Sequence, residues 1–170
     1  MAELRFLQVA GWSGSGKTLL LEAVAQRVHP VAVVKWTHHA VTAERPGSDT
    51  ARLGRGARVA ILAGKEGATA FGALPWWAWY RMVADAFPDG GCCLVEGGKS
   101  LPVPKVVLAE RDGPRAPVAL WVGPLPPPRP VPWLCHPLPL DPPSAEAVAD
   151  YLLRHWSHFT FPPPDGVGAG

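Results

Sequence analysis

The chain has 170 residues, of which 16 are Lys or Arg and 14 are Asp or Glu, so its formal net charge is +2. This length suits one domain with a proper hydrophobic core. The small net charge gives no electrostatic argument for binding nucleic acid or a membrane surface. No apolar run approaches the roughly 20 residues of a membrane helix. Glu3 and Arg5 stand where the apolar stretch of a signal peptide would begin. We therefore expect a cytoplasmic protein with neither a membrane nor a nucleic-acid partner.

The first elements carry the clearest motif. A short apolar run at residues 4–10 predicts a buried strand, and it leads directly into GWSGSGKT at residues 11–18. This spacing of Gly, four residues, Gly-Lys and Thr is that of a phosphate-binding loop, whose glycines bring backbone N–H groups close to a nucleotide's phosphates. Lys17 would reach the terminal phosphates, and the Thr18 hydroxyl would hold Mg²⁺. The predicted nucleotide-binding residues are Gly11, Ser13, Gly14, Ser15, Gly16, Lys17 and Thr18.

A helix is predicted immediately after this loop. Residues 19–28 carry apolar side chains at helical spacing, and His29-Pro30 ends the pattern because proline cannot continue a helix. Strand, glycine loop and helix thus follow one another in the order that a phosphate site requires. The N-terminus of the helix adds the positive end of its dipole to the site.

A polar loop at residues 37–50 follows a predicted second strand at residues 31–36. It contains His38, His39 and Asp49, and it could bring Asp49 or a histidine toward the γ-phosphate, where histidine can act as acid or base near neutral pH. Taken singly, each histidine is better explained as a surface residue. The catalytic residue therefore stays unassigned, with Asp49 and His39 as candidates.

The rest of the chain continues to alternate between strands and helices, with a proline-dense connector at residues 124–132. This alternation predicts an α/β, three-layer fold like that of P-loop NTPases, with a mostly parallel sheet flanked by helices. We expect one nucleotide-binding domain over residues 1–160 and a flexible C-terminal tail over residues 161–170. The further predicted elements are a short helix at 51–57, strands at 59–63, 92–97, 105–109 and 118–122, an amphipathic helix at 74–87, and a last helix at 145–156 capped by Ser144.

Glu96 ends the predicted strand at residues 92–97 and is comparable to the acidic residue of a Walker B strand. The usual residue there is Asp, and an isolated Glu at a strand end is often a solvated turn residue. Because ligands of such sheets bind beyond the carboxyl ends of the strands, Gly11 and Glu96 are expected on one rim. We therefore predict a direct or water-mediated metal role for Glu96. Cys92 and Cys93, in the same apolar run, are predicted to be buried strand residues.

A family resemblance emerges from several motifs in order. GWSGSGKT, VVKWTHH, RPGSDTAR, LVEGGK and PKV, between residues 4 and 110, together resemble the molybdopterin-guanine dinucleotide biosynthesis protein B family (MobB). The resemblance implies a GTP-binding adapter with weak GTPase activity that assists in attaching GMP to molybdopterin. It implies a homodimer that acts with the molybdenum cofactor guanylyltransferase. It also implies that Thr18, Asp49 and Glu96 lie near Mg²⁺.

Some positions depart from the family pattern. Trp36 stands where members often carry His, Gly98 where they carry an aromatic residue, and Ser48 where a Lys is common. The guanine-reading pattern N-K-x-D is absent, so GTP rather than ATP is implied by the family alone. No residue obviously positions an attacking water and no arginine finger can be assigned, so slow hydrolysis is expected.

Two other functions stay open from the residues alone. One is a small-molecule kinase that uses the same loop, with Asp49 or His39 as base. The other is a nucleotide-gated binding module without turnover, which would hold a partner through the tryptophan-rich segment at residues 76–79 or through the proline-dense connector.

Overall fold

The computed structural model describes residues 4–36, 59–64, 67–72, 75–110, 113 and 117–162. The helices and strands in these ranges are, in chain order, β1 Leu4–Gly11, α1 Lys17–Ala25, β2 Val31–Lys35, β3 Val59–Gly64, β4 Gly67–Gly72, α2 Trp76–Ala86, β5 Gly91–Glu96, β6 Lys105–Leu108, β7 Val118–Gly123, β8 Trp133–Cys135, α3 Pro142–Arg154 and α4 Trp156–Phe159.

Six of these strands form one parallel sheet in the order β2-β5-β1-β6-β7-β8. The register pairs Val9 of β1 with Glu96 of β5 on one side, and Gly11 with Leu108 of β6 on the other. Because parallel strands end at the same edge of a sheet, Gly11, Glu96 and Leu108 share one rim. The predicted fold class, a mostly parallel sheet flanked by helices, is confirmed.

The core lies on both faces of the sheet. Alternate side chains of β1 point to opposite faces, so Leu7 and Val9 pack in a cluster with α1 and α3, whereas Phe6 packs in a second cluster with Tyr80 of α2. A strand that is buried on both faces needs a nearly continuous apolar sequence, which is what residues 4–10 provide. Cys92 and Cys93 are both buried in β5, as predicted.

The predicted strand at residues 59–63 is confirmed as β3, but it lies outside the main sheet. β3 pairs antiparallel with β4 in a separate two-stranded sheet. Only two residues separate these strands in sequence, and so short a connection can join antiparallel neighbours but not parallel ones. β4 is not predicted from the sequence because GATAFG is rich in glycine and alanine, which are uncommon in strands.

The C-terminal part of the fold adds one strand that was not predicted and corrects two predictions. The sequence does not predict β8, because a three-residue strand carries no periodic signal. The cap of α3 is Asp141 rather than Ser144: the Asp141 carboxylate accepts from the Ser144 backbone N–H at 2.8 Å, and Pro142 starts the helix. Phe161, assigned to the flexible tail, is buried and exchanges two backbone hydrogen bonds with Phe6.

Two predicted elements, the polar loop at residues 37–50 and the short helix at residues 51–57, lie outside the described residues. No helix in the described part of the chain has the length and apolar character that crossing a membrane requires.

The packing of α1 gives a first prediction. Leu20 is fully buried, whereas its neighbour Leu19 is 37% exposed. We expect Leu20→Ala to lower the free energy of unfolding by about 2–5 kcal/mol, because it leaves a cavity between α1 and the sheet. Leu19→Ala, the matched control, should change it by less than about 1 kcal/mol. Urea unfolding followed by circular dichroism measures both, and equal losses in the two variants would contradict this packing.

Candidate functional site

The loop between β1 and α1 has a backbone that only glycine adopts easily. Gly14 and Gly16 have φ angles of 74° and 93°, in the left-handed region that side chains disfavour. A Cβ at Gly16 would also lie 2.7 Å from the Cβ of Leu140. The backbone N–H of Leu140 donates to the carbonyl of Ser15 at 3.2 Å, which ties the loop to the segment before α3. The loop is therefore held in one shape by its surroundings.

The start of α1 leaves backbone donors available to a ligand. Gly16 is the N-cap residue, and it has no side chain to accept from the N–H groups of the first turn. These groups and the positive end of the helix dipole lie beside the glycine loop, which makes an anion-binding site. Of the seven predicted nucleotide-binding residues, Gly11 ends β1 and the other six lie on this loop and first turn.

The side chain of Lys17 reaches back across the loop to a backbone carbonyl. Its ammonium group donates to the carbonyl oxygen of Trp12 at 2.6 Å. Partial burial lowers the pKa of Lys17, an effect that Glu96 opposes and that the positive charges of Lys99 and Lys35 reinforce. Lys17 thus lies among two further lysines and one carboxylate, and this excess of positive charge favours a polyanionic ligand.

Glu96 contacts both the loop and the neighbouring strand. The Thr18 hydroxyl donates to Glu96 Oε2 at 2.9 Å, and the Lys35 ammonium lies 3.2 Å from Glu96 Oε1. The sheet produces this arrangement, because its register pairs both Lys35 and Val9 with Glu96. Thr18 and Glu96 are 78 residues apart in the chain, and the structure brings them into direct contact.

This pair of oxygen donors fits Mg²⁺. Hydroxyl and carboxylate oxygens are hard ligands, and Mg²⁺ is usually bound through one or two carboxylates together with phosphate and water oxygens. Within the described ranges, no group of three or more His, Cys, Asp or Glu side chains is placed to hold a metal. Among the described residues, Thr18 and Glu96 would thus supply two oxygen ligands to a metal ion, to which phosphate and water oxygens would add.

The turn after β5 is anchored by a buried polar pair that sequence reasoning missed. The Gln8 amide nitrogen donates to the carbonyls of Gly97 and Gly98, both at 2.9 Å, and Gln8 Oε1 accepts from the Tyr80 hydroxyl at 3.1 Å. Burial raises the pKa of Tyr80, so its hydroxyl stays protonated as a donor. The available signal is a polar Gln8 between the apolar residues Leu7 and Val9.

Gly98 depends on this anchor. It has a φ of 64°, and a Cβ there would lie 2.7 Å from Gln8 Nε2 and 2.6 Å from Leu101 Cδ1. A larger residue at position 98 would therefore disturb the Gln8 hydrogen bonds as well as strain the backbone. The departure from the aromatic residue of the family pattern is thus accommodated by this local packing.

Lys99 is another residue of the site that was not predicted from the sequence. It lies in the LVEGGK motif, but the motif gives no indication of its role. Its ammonium group lies 3.7 Å from the centre of the Trp12 ring, a cation–π contact between the turn after β5 and the glycine loop. The Trp12 side chain is 57% exposed. Lys99 is therefore held against the exposed Trp12 of the glycine loop.

Lys105 stabilises the segment between the turn after β5 and β6. It is fully buried at the start of β6, and its ammonium group donates to the carbonyls of Leu101 and Val103 at 2.8 and 2.6 Å. Burial lowers the pKa of Lys105 to about 8. These two hydrogen bonds fix the segment that connects the turn after β5 to β6.

The two remaining predicted site residues, Asp49 and His39, lie outside the described residues. The candidate site is thus built from the glycine loop, Glu96 and four residues not predicted for it: Gln8, Lys35, Tyr80 and Lys99.

Comparison with known proteins gives consistent results. Residues 6–120 match the family described as "Molybdopterin guanine dinucleotide synthesis protein B". A "Molybdopterin-guanine dinucleotide biosynthesis adapter protein" of Haemophilus influenzae is 31% identical over 118 residues, which span 65% of this chain and 66% of that protein, slightly under two thirds of its length.

Solved structures resemble the fold. A MobB homolog from Bacillus stearothermophilus superposes with a TM-score of 0.52 at 23% identity, over 88% of this chain and 96% of that one. MobB from Bacillus subtilis superposes with a TM-score of 0.57 at 20% identity, over 92% and 98% of the two chains.

Lys105 gives a prediction for the pH dependence of stability. Its pKa is about 8 in the folded protein, against 10.5 for a lysine exposed to water, as in the unfolded chain. Between these values the unfolded state holds more protons on this lysine, so Lys105 should add up to about 1.4 kcal/mol per pH unit to the slope of the free energy of unfolding against pH. We expect Lys105→Met to remove this contribution from the slope. Denaturant titrations at about pH 8 and about pH 10 measure the difference, and parallel slopes in the two proteins would contradict the assignment.

Proposed function

The chain belongs to the molybdopterin guanine dinucleotide synthesis protein B family, and on that premise we propose that it is a GTP-binding adapter in molybdopterin guanine dinucleotide biosynthesis. It would bind GTP with Mg²⁺ and hydrolyse it slowly. The observation that carries this proposal is the 2.9 Å hydrogen bond between Thr18 on the glycine loop and Glu96 at the end of the neighbouring strand. That contact joins a phosphate-binding loop to a carboxylate suited to Mg²⁺.

The phosphates would be bound by backbone donors and by lysine. The N–H groups of residues 14–18 and the first turn of α1 would converge on one anion position. Lys17 would exchange the carbonyl of Trp12 for a phosphate oxygen, which is a stronger acceptor because it is charged. Lys99 and Lys35 add positive charge at the same rim.

Thr18 and Glu96 are the residues proposed to hold Mg²⁺, with Asp49 as a further ligand implied by the family. When bound, the ion supplies charge neutralisation at the β- and γ-phosphate oxygens. Lys35 would position the Glu96 carboxylate, because its ion pair with Glu96 Oε1 leaves the other carboxylate oxygen directed at Thr18.

Slow hydrolysis is expected because other side chains already occupy both oxygens of the Glu96 carboxylate. Glu96 accepts from Thr18 and pairs with Lys35, so both of its oxygens are committed to holding the site rather than to activating water. A base would have to come from Asp49 or His39, or from the partner. We propose that this partner is the molybdenum cofactor guanylyltransferase and that the chain acts as a homodimer.

The proposed location is the cytoplasm. The three cysteines in the described part of the chain, Cys92, Cys93 and Cys135, are free thiols, which is the usual state in a reducing compartment.

Lys17→Ala tests the nucleotide site. We expect the affinity for Mg²⁺–GTP, measured by isothermal titration calorimetry, to fall at least about 100-fold, because a phosphate then loses its charged partner. Arg27→Ala is the matched control: Arg27 follows the other end of α1 and pairs with Glu146 there, so GTP affinity should stay unchanged. Undiminished binding in Lys17→Ala would overturn the site assignment. A parallel titration with ATP tests the nucleotide preference.

Glu96→Gln tests the metal site. The substitution keeps the size of the side chain but removes its charge, so the Mg²⁺ concentration for half-maximal GTP binding should rise about 10-fold or more. Binding without Mg²⁺ should change much less. Thr18→Ala should act in the same direction, while Thr18→Ser keeps the hydroxyl and should resemble the parent protein. An unchanged Mg²⁺ titration in Glu96→Gln would remove Glu96 from the metal site.

A further inference from the structure

A cleft of about 430 Å³ opens beside the glycine loop, on the side away from Glu96. Trp12, Ser13, Gly14 and Ser15 form one wall of this cleft, and the rest is lined by Leu108, Glu110, Leu138 and Pro139. Its volume lies within the range of small-molecule sites, about 300–1,000 Å³. Because it shares the loop with the phosphate site, one ligand could occupy both.

The sheet order separates this cleft from the metal end of the site. β5 and β6 lie on opposite sides of β1, so Glu96 and the segment that follows β6 flank the glycine loop from opposite sides. Leu108 ends β6, and Glu110 follows two residues later. A nucleotide with its terminal phosphates at Thr18 and Glu96 would extend along the loop, away from β5 and toward this cleft.

The lining suits a flat, partly polar ring. Leu108, Leu138 and Pro139 offer apolar surface, and the backbone hydrogen bond from Leu140 to Ser15 fixes the Leu138–Pro139 wall against the loop. Ser15 is only 7% exposed, and its hydroxyl has no hydrogen-bond partner among the described residues. Buried hydroxyl groups are normally hydrogen-bonded, so an unpaired one in the wall of this cleft is unusual.

We propose that this cleft holds the purine base of the nucleotide, and that the Glu110 carboxylate selects guanine by accepting from its N1–H and its 2-amino group. The proposal rests on the proposed nucleotide binding at the glycine loop. Among the described residues that line the cleft, Glu110 alone carries a charge.

The chemistry of the two purines makes the selection. A carboxylate only accepts hydrogen bonds. Guanine offers two adjacent donors on one edge, which a carboxylate can accept together. Adenine presents a ring-nitrogen lone pair at N1, which repels a carboxylate. The segment after β7, residues 124–132, contains no acidic residue that could select guanine in place of Glu110.

Glu110→Gln should shift the preference of the cleft from guanine toward xanthine. Xanthine carries a carbonyl oxygen at C2 in place of the amino group of guanine, so an amide can accept from its N1–H and donate to that oxygen. We expect the ratio of GTP to XTP affinity, measured by calorimetry with Mg²⁺ on the full chain, to fall at least about 30-fold. A gain in XTP binding cannot come from misfolding. Asp112→Asn, the same carboxylate-to-amide change two residues later, is the matched control and should keep the parent ratio.

The outcomes separate this proposal from the one on which it rests. If the parent protein binds GTP in a Lys17-dependent manner but Glu110→Gln keeps its GTP to XTP ratio, the base site is overturned while the phosphate site stands. A parent protein that binds ATP as tightly as GTP, or a loss of preference in Asp112→Asn instead, also overturns it. If the parent protein binds no nucleotide, the proposed function itself fails.

Discussion

The structure depends on one constraint: β1 lies at the centre of the sheet, with parallel neighbours on both sides. Its register with β5 brings Glu96 beside the glycine loop, and its register with β6 brings Leu108 to the other side. The same burial that makes residues 4–10 almost wholly apolar therefore sets the geometry of the rim. The phosphate loop, the proposed metal ligands and the proposed base cleft are three parts of one edge, ordered by which strand they follow.

The local part of this arrangement could be predicted from the sequence, and the long-range part could not. GWSGSGKT specifies its own loop because Gly14 and Gly16 take backbone angles that other residues disfavour. Glu96 is predictable because a strand end indicates the rim. The hydrogen bonds from Gln8 to Gly97 and Gly98 cross about 90 residues of chain, and no spacing rule reports such contacts. β8 is too short for periodicity, and the predicted strand at residues 59–63 gives no indication of its partner.

Core and site are joined through Gln8. The ring of Tyr80 packs 4.8 Å from that of Phe6 in the core, while its hydroxyl donates to Gln8, whose amide nitrogen holds the turn that carries Lys99. A buried amide of this kind must have all its partners, because an unsatisfied polar group is costly in the interior. Changes in the packing of α2 can therefore reach the glycine loop through the Tyr80–Gln8 hydrogen bond, the two hydrogen bonds from Gln8 to the turn after β5, and the contact of Lys99 with Trp12.

The backbone hydrogen bonds between Phe6 and Phe161 affect when the protein can complete its folding during synthesis. Arg5 also donates to the carbonyl of Thr160 at 2.9 Å, across 155 residues of sequence. During synthesis the central strand leaves the ribosome well before the residues that complete its pairing, which follow 155 residues later. Contacts so distant in sequence form late, because closing the intervening loop costs chain entropy. Folding of this protein must therefore finish after translation of its C-terminal helices, with β1 depending until then on its other neighbours.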